Sequence, residues 1–266
     1  MSKLPLKIIF FGNGPLADYT KAALEPHFSI IFHARSTTDL EQVQQIKSQH
    51  PTAFGVLASF GVLLKQPILD LFEPQGIINL HPSILPQYRG ASPIETAILN
   101  GDTKFGISII KLVPAMDAGP IYYQTSLSAD YSTSKESIYQ NLAKLGASWL
   151  IQNLTHLPKP RPQDHTKATF TTKLTKDLSL LQPDQKTALQ LHNQIRAFQH
   201  FPKSIFSFFD QTCIIHASHI AKQPTALSIQ CQPDDNGFDY LVIDQLQPLN
   251  KRPMDAAAFL NGYRKR

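Results

Sequence analysis

The sequence predicts an α/β fold, in which a doubly wound parallel sheet is followed by a smaller all-β domain. Up to about residue 154, short apolar runs alternate with amphipathic stretches, which is the pattern of successive βαβ units. Between residues 205 and 246, four short strand-like runs are separated by turn residues, as in a small β-barrel. Three alternate prolines in segment 157–162 favour an extended linker between these patterns. We therefore expect a first domain over 1–163, a linker over 164–182 and a second domain over 183–266.

The N-terminal stretch predicts a strand, a glycine turn and a helix. An apolar run at 7–11 ends in Gly12-x-Gly14-x-x-Ala17, which formally fits a dinucleotide-binding fingerprint with alanine in place of the third glycine. The second strand leads into Arg35 and not into an acidic residue, so an NAD ribose has no obvious partner and NADP stays open. A plain glycine turn of a βαβ unit is the more frequent meaning of such a match.

The remaining elements follow from periodicity and capping residues. In the first half we expect strands at 29–33, 53–58, 77–80, 106–113 and 121–126, and helices at 15–24, 39–49, 67–72, 93–100 and 133–154. In the second half we expect a helix at 184–199, strands at 205–209, 212–217, 226–232 and 240–246, and a helix at 255–262.

Composition and cysteine usage exclude several classes of protein. No apolar run approaches the length of about 18 residues that a membrane span needs, and the first residues lack the apolar centre of a secretory signal. We therefore expect a soluble, cytoplasmic protein. Cys213 and Cys231 lie in no CxxC spacing and near no histidine cluster, so we expect neither a metal site nor a disulfide framework.

The positive charge is concentrated in the second half. Residues 1–165 contain 13 Lys and Arg against 12 Asp and Glu, a balance of +1, whereas residues 166–266 contain 12 against 8, a balance of +4. This asymmetry favours a polyanionic partner for the second domain, although a mildly basic surface is also common without one.

The chemistry-bearing residues gather around the strand at 77–80. Alternate residues of a strand face the same side, so the Asn79 amide and the His81 imidazole should lie together, and Asp117 follows in a downstream loop. Each of these residues also has an ordinary structural interpretation. Ser83 lies in no Gly-x-Ser-x-Gly elbow, so we interpret it as a residue that hydrogen-bonds the loop or a ligand. A donor amide, a titratable imidazole and a carboxylate without a nucleophile suit direct acyl or one-carbon transfer between two bound substrates.

A glycine-containing apolar segment follows the third strand. Gly61 lets the backbone approach a ligand, and Val62, Leu63 and Leu64 could line a pocket for a flat ring. The alternative is a strand-to-helix turn whose apolar side chains belong to the core.

Three motifs follow one another in the first half, namely Asn79-x-His81-x-Ser83-x-x-Pro86, Tyr88-Arg89-Gly90-Ala91-x-Pro93 and Asp117-x-Gly119. Together they resemble the 10-formyltetrahydrofolate-dependent formyltransferase family. In the second half, the segments 173–176, 195–202, 246–254 and 259–262 resemble the members of this family that act on methionyl-tRNA.

The resemblance implies a Rossmann-like catalytic domain, a C-terminal barrel resembling an OB-fold, and roles for individual residues. Asn79, His81 and Asp117 would be catalytic, and the amine of initiator methionyl-tRNA would attack the formyl carbon of 10-formyltetrahydrofolate without a metal. The implied folate contacts are Ser83, Ile84, Leu85 and Pro86, with Gly61, Val62, Leu63, Leu64, Val113 and Met116 around the pterin. The expected tRNA contacts are Arg35, Lys173, Lys176, Arg196, Lys203, Lys251 and Arg252.

One departure from the family pattern affects the acceptor. Relatives carry a long basic loop after the second strand, whereas here Arg35 passes almost directly into the next helix and could replace some of the function of that loop. The alternatives are a formyltransferase acting on another amine such as a nucleotide-linked amino sugar, an NADP-dependent oxidoreductase, and a noncatalytic RNA-binding module. We expect a monomer with no membrane partner.

Overall fold

The computed structural model describes residues 5–264. Backbone contacts divide them into two units, one containing residues up to 93 together with 103–172, and the other containing 94–102 together with the residues from 173 onward. The domain limits expected from the sequence stay a prediction. No helix of the described residues is long and apolar enough to cross a membrane.

The first unit contains a six-stranded sheet in the order β2-β1-β3-β4-β6-β7. Strands β1 to β4 pair in parallel, which confirms the expected parallel sheet, whereas β6 and β7 pair antiparallel. Strand β6 also pairs antiparallel with β4. The antiparallel pairing of β6 with β7 follows from the short loop 112–120 between them, because a short loop can connect antiparallel neighbours but not parallel ones. The strands are β1 (Lys7–Gly12), β2 (Ser29–Ala34), β3 (Phe54–Ala58), β4 (Ile77–His81), β5 (Arg89–Gly90), β6 (Lys104–Lys111), β7 (Ile121–Ser128) and β8 (Phe170–Thr171).

The central strands are apolar and buried on both faces. Ile8, Ile9, Phe10 and Phe11 of β1 are fully buried, as expected for a parallel strand covered on both sides. The small pair β5-β8 lies outside the main sheet and joins Arg89 to Phe170. The helices are α1 (Pro15–Leu24), α2 (Leu40–Gln49), α3 (Gln66–Asp70), α4 (Pro93–Leu99), most of which belongs to the second unit, and α5 (Lys135–Asn153).

The second unit contains an antiparallel sheet in the order β11-β12-β10-β9, with β13 paired to β12. The pairing of β10 with β12 shifts register near Ala217, and such bulges let long strands bend. The sheet forms a curled half-barrel, which confirms the predicted small β domain. Its elements are α6 (Ala188–Ala197), β9 (Ser204–Phe208), β10 (Gln211–Ala221), β11 (Ser228–Gln230), β12 (Tyr240–Pro248), β13 (Met254–Asp255) and α7 (Ala256–Tyr263).

Helix α6 begins later than residue 184, where the sequence predicted it. The Gln185 N–H bonds the Gln182 carbonyl in a turn, which occupies the backbone before the helix. Thr187 and Gln190 then form a reciprocal capping box. Thr187 is therefore the N-cap of α6.

Candidate active site

Two neighbouring loops meet at the carboxyl edge of the parallel sheet. Strands β3 and β4 run in the same direction, with Ala58 opposite Leu80, so their carboxyl ends lie side by side. Ligands of open α/β sheets bind at this edge. The loop that begins at Ser59 and the side chain of His81 therefore share one region.

The structure brings Asn79, His81 and Asp117 together. Asn79 and His81 are each 4% exposed. The Asn79 Nδ2 atom lies 3.4 Å from Asp117 Oδ1, and His81 Nδ1 lies 3.5 Å from the same oxygen. The other carboxylate oxygen, Oδ2, accepts a hydrogen bond of 2.8 Å from the Gly90 N–H. One carboxylate thus faces both donors that the sequence placed on the strand.

The hydrogen bonds of His81 determine which ring nitrogen carries its proton. His81 Nε2 lies 2.9 Å from the Tyr88 carbonyl oxygen, and a carbonyl only accepts, so Nε2 donates. Nδ1 therefore carries a proton only when the ring is charged. Asp117 Oδ1 is the carboxylate oxygen that faces this nitrogen.

The loop that carries Asp117 is anchored by groups that the sequence analysis did not identify. Asp117 adopts a positive φ of 49°. A methyl group on Gly119 would lie 1.7 Å from the Lys111 carbonyl oxygen, so only glycine allows this approach. Gln163 Nε2 donates to the Asp117 and Gly119 carbonyl oxygens, both at 2.7 Å. The composition of the linker indicated an extended segment and gave no signal for Gln163.

A second polar network holds the loop after β4. Ser83 Oγ donates to the Gln87 carbonyl at 2.6 Å, so its hydroxyl stabilises the loop. Ser108 Oγ accepts from the Leu85 N–H at 3.0 Å and donates to the Ser83 carbonyl at 2.6 Å. Gln124 Nε2 lies 2.8 Å from both the Leu85 carbonyl and Ser108 Oγ. Neither Ser108 nor Gln124 was predicted, because each is an ordinary polar residue in a strand.

The residues expected around the folate fall into two groups. Val62, Leu63 and Met116 are large apolar side chains exposed at 44%, 61% and 41%, and Gly61 has a positive φ of 74° with open space around it. These residues fit an apolar flat ring, because they leave unburied surface beside the polar site. The side chains of Leu64 and Leu85 are buried in the core, while Ser83, Ile84, Pro86 and Val113 are buried or half-buried.

The expected tRNA contacts differ in exposure. Arg196 is only 7% exposed, and its Nη1 atom donates to Asn193 Oδ1 at 2.9 Å. A buried guanidinium does not reach a phosphate without leaving its partners, so the structure argues against this prediction. Lys203 is half-buried. Among the expected contacts, the exposed side chains are those of Arg35 in the first unit and of Lys173, Lys176, Lys251 and Arg252 in the second.

Two backbone groups of the glycine turn after β1 are bonded within the protein. The Asn13 N–H donates to the Ser59 carbonyl at 3.0 Å, and His33 Nε2 donates to the Gly12 carbonyl at 2.9 Å. Burial lowers the pKa of His33. This turn is thus part of the internal hydrogen bonding of the sheet edge.

The fold and the site define a one-carbon transferase. The formyl transferase model matches residues 13–154, and the model of the formyl transferase C-terminal domain matches 173–264. Methionyl-tRNA formyltransferase of Nitratidesulfovibrio vulgaris is 33% identical over 229 residues, which cover 79% of this chain and 69% of the relative. The chain belongs to the formyl transferase family, and within it to the methionyl-tRNA formyltransferases. The resemblance found in its motifs is confirmed.

Solved structures show the same fold. Methionyl-tRNA formyltransferase from Clostridium thermocellum aligns with a TM-score of 0.67 and 17% identity, covering 95% of this chain and 100% of that one. HypX from Aquifex aeolicus, solved in complex with tetrahydrofolic acid, aligns with a TM-score of 0.73 and 14% identity. That alignment covers 99% of this chain and 48% of HypX, so the chain spans about half the length of HypX.

Proposed function

We propose that the chain transfers the formyl group of 10-formyltetrahydrofolate to the α-amino group of initiator methionyl-tRNA. The observation that carries the proposal is the Asp117 carboxylate, which faces the Asn79 amide at 3.4 Å and the His81 imidazole at 3.5 Å at the carboxyl end of β4. Matches to both family domains support the assignment to formyl transfer.

In this proposal Asn79 and His81 stabilise the negative charge that develops on the formyl oxygen. The separation of 3.5 Å between His81 Nδ1 and Asp117 is longer than a good charge-assisted hydrogen bond of about 2.7–2.9 Å. The Nδ1 proton of charged His81 can therefore point at a substrate oxygen while it stays in the field of the carboxylate. Asn79 has a second amide hydrogen for the same oxygen. Removing one such donor typically costs on the order of 10²–10³ in rate.

Asp117 takes part in the proton transfers of the reaction. As the new bond forms between the formyl carbon and the α-amine, the amine must lose a proton. As the old bond to N10 of the folate breaks, N10 must gain one. The Asp117 carboxylate accepts the first proton and, with His81, returns one to the leaving nitrogen, so no net charge is left on the protein.

The exposed apolar side chains would bind the donor. Val62, Leu63 and Met116 offer apolar surface to the pterin ring, and the loop at residues 83–86 is held by the Ser108 network so that its backbone can meet the folate. Gly61 allows close backbone approach.

The second unit would bind the tRNA. Residues 166–266 have a balance of +4, and Lys173, Lys176, Lys251 and Arg252 are exposed. Lysine and arginine neutralise phosphates and release counterions, which gives affinity without reading the sequence. Arg196 is left out of this surface because it is buried.

We further propose that the protein acts as a cytoplasmic monomer. Light scattering after size exclusion would test the oligomeric state.

A direct transfer assay tests the substrate. The purified chain is incubated with 10-formyltetrahydrofolate labelled in its formyl group and with charged initiator tRNA, and the hydrolysed product is analysed for formylmethionine. We expect label in formylmethionine for the wild type, and an initial rate of labelling lower by on the order of 10²–10³ for Asn79→Ala prepared in parallel. Formylation of a nucleotide-linked amino sugar without any formylmethionine would refute the proposed acceptor.

The runner-up is formyl transfer to such an amino sugar, because the catalytic residues do not distinguish one primary amine from another. The match of residues 173–264 to the C-terminal domain of the family favours the tRNA. The hypothesis of an NADP-dependent oxidoreductase is weaker, because both family matches are to formyl transferase domains. The noncatalytic reading predicts tRNA affinity without turnover, which the transfer assay also tests.

A further inference from the structure

The carboxylate of Asp117 depends on a loop without regular secondary structure. Asp117 lies in the connection between β6 and β7, at a positive φ of 49°. Its carboxylate is fixed from outside the loop by the Gly90 N–H of β5. The backbone of the loop needs its own anchor, because a shift of about 1 Å at a reacting group can cost roughly 10²-fold in rate.

Gln163, which directly follows the proline-rich segment 157–162, supplies that anchor. Its side chain is 7% exposed, and the two hydrogens of Nε2 account for the bonds to the carbonyls of Asp117 and Gly119, at 2.7 Å each. Its Oε1 atom accepts a hydrogen bond of 2.5 Å from Arg89 Nη2. The amide is therefore satisfied at both ends, with donors toward the loop and its acceptor toward β5.

Arg89 connects the two anchors of Asp117. It directly precedes Gly90, whose N–H holds the carboxylate, and Arg89 is itself 5% exposed. The guanidinium also contacts His165 Nδ1 at 3.0 Å. Gln163 thus joins the strand that holds the carboxylate to the loop that carries its backbone.

The position of Gln163 is fixed by backbone pairing two residues earlier. Arg161 and Ile121 exchange backbone hydrogen bonds of 2.7 and 2.9 Å, so the linker is bonded to the start of β7. Residues two apart in an extended chain face the same side. The linker therefore holds Gln163 in a defined register against the loop.

We propose that Gln163 is a positioning residue for the Asp117 carboxylate and acts without touching either substrate. This inference rests on the proposed catalytic function of Asp117. An amide is required because glutamate at this position has no hydrogen for the two carbonyls and would set its charge against them. Asparagine has the right group but is one methylene shorter.

The test is Gln163→Glu, which keeps size and shape and removes both donors. We expect kcat for formyl transfer to fall by about 10²-fold, while KM for methionyl-tRNA changes by less than about threefold. The matched control is Gln152→Glu, which adds the same charge on the exposed side of α5 and should leave kcat unchanged. Gln163→Met, a neutral variant of similar length, should show the same loss and serves if the glutamate variant does not fold.

A double variant separates positioning from a general structural role. If Gln163 acts through Asp117, adding Gln163→Glu to Asp117→Asn should reduce kcat by less than about threefold further, since residues that act as a unit are not additive. Losses that multiply, or a kcat within about threefold of the wild type for the single variants, would overturn the proposal.

Hydrogen exchange tests whether Gln163 anchors the loop, independently of activity. We expect the amides of residues 115–119 to exchange at least about tenfold faster in Gln163→Glu than in the wild type, because the opening free energy of the loop falls. Unchanged exchange in this loop would overturn the proposed anchoring by Gln163 even if activity fell. If the wild type transfers no formyl group but this loop still exchanges faster in Gln163→Glu than in the wild type, the proposed function is refuted and the anchoring of the loop by Gln163 stands.

Discussion

Replacing the Asp117 carboxylate by an amide separates its charge from its shape. In Asp117→Asn the amide oxygen can keep the 2.8 Å bond from the Gly90 N–H, which leaves the new NH₂ group facing His81 Nδ1. Because His81 Nε2 already donates to the Tyr88 carbonyl, a neutral ring presents a lone pair at Nδ1. That lone pair would accept from the new amide, so the substitution removes the carboxylate as a proton acceptor and engages His81 Nδ1 within the protein.

The magnitude follows from the contacts that change. Loss of a positioned acid–base group lowers rates by on the order of 10²–10⁴, and we expect kcat to fall within that range. Folding should change by only about 1 kcal/mol, because the bond to Gly90 survives and a single hydrogen bond is worth about that much. Affinity for tRNA should stay within about twofold, since a negatively charged carboxylate makes no favourable contact with phosphates.

The assay is steady-state formyl transfer with both substrates saturating, which gives kcat, accompanied by a thermal melt. Asp70→Asn removes the same charge from an exposed position on α3 and is the matched control. A folded Asp117→Asn protein that loses less than about tenfold in kcat would refute the acid–base role. A collapse of tRNA binding would refute the separation of the two surfaces.

Three further predictions concern the donor loop, the thiols and the basic unit. A methyl group in Gly106→Ala would lie 2.2 Å from Ile84 Cδ1; overpacking of this kind costs about 1–3 kcal/mol, so KM for the folate donor should rise about tenfold while that for tRNA stays constant. Burial raises the pKa of Cys213 and Cys231 to about 11; at pH 8 iodoacetamide should modify them about a hundredfold more slowly in the native than in the urea-unfolded protein, and urea midpoints should fall as pH rises from 9 to 11, because unfolded thiols ionise first. Lys251→Ala should reduce the slope of log affinity against log salt by about 1 without changing kcat at saturating tRNA, and an unchanged slope would remove Lys251 from the tRNA surface.

The parts of the fold that the sequence predicted are those with local signals. Continuous apolar residues specify β1, and the apolar residues Ile77, Ile78 and Leu80 mark the strand that ends at His81. Asn79 and His81 could be placed side by side because the alternation of a strand is independent of its neighbours. The start of α6 was misplaced because Asp184 and Thr187 are both good caps, and only the turn that occupies Asp184 decides between them.

The parts that escaped prediction depend on contacts between distant segments. Asp117 was grouped with Asn79 and His81 as a candidate carboxylate, but no local pattern relates it to His81, 36 positions earlier, so their contact could not be predicted. Ser108 and Gln124 belong to strands whose pairing places them beneath the loop after β4, and the antiparallel direction of β6 and β7 was not anticipated. Gln163 is still less visible, since its burial is set by a linker whose composition indicates only extension.

The proline-rich linker acquires a physical reason from these contacts. Proline has no N–H and fixes φ, so Pro160 and Pro162 hold the chain extended while the residue between them, Arg161, keeps the N–H and carbonyl that pair with Ile121. The Arg161 side chain reaches Gln124, which supports the donor loop, and Gln163 reaches the loop of Asp117. Arg161 and Gln163, which flank Pro162, thus support the two loops of the site from one proline-rich segment. Because the prolines reduce the freedom of the unfolded linker, the segment arrives at the sheet edge already in the conformation that these contacts need.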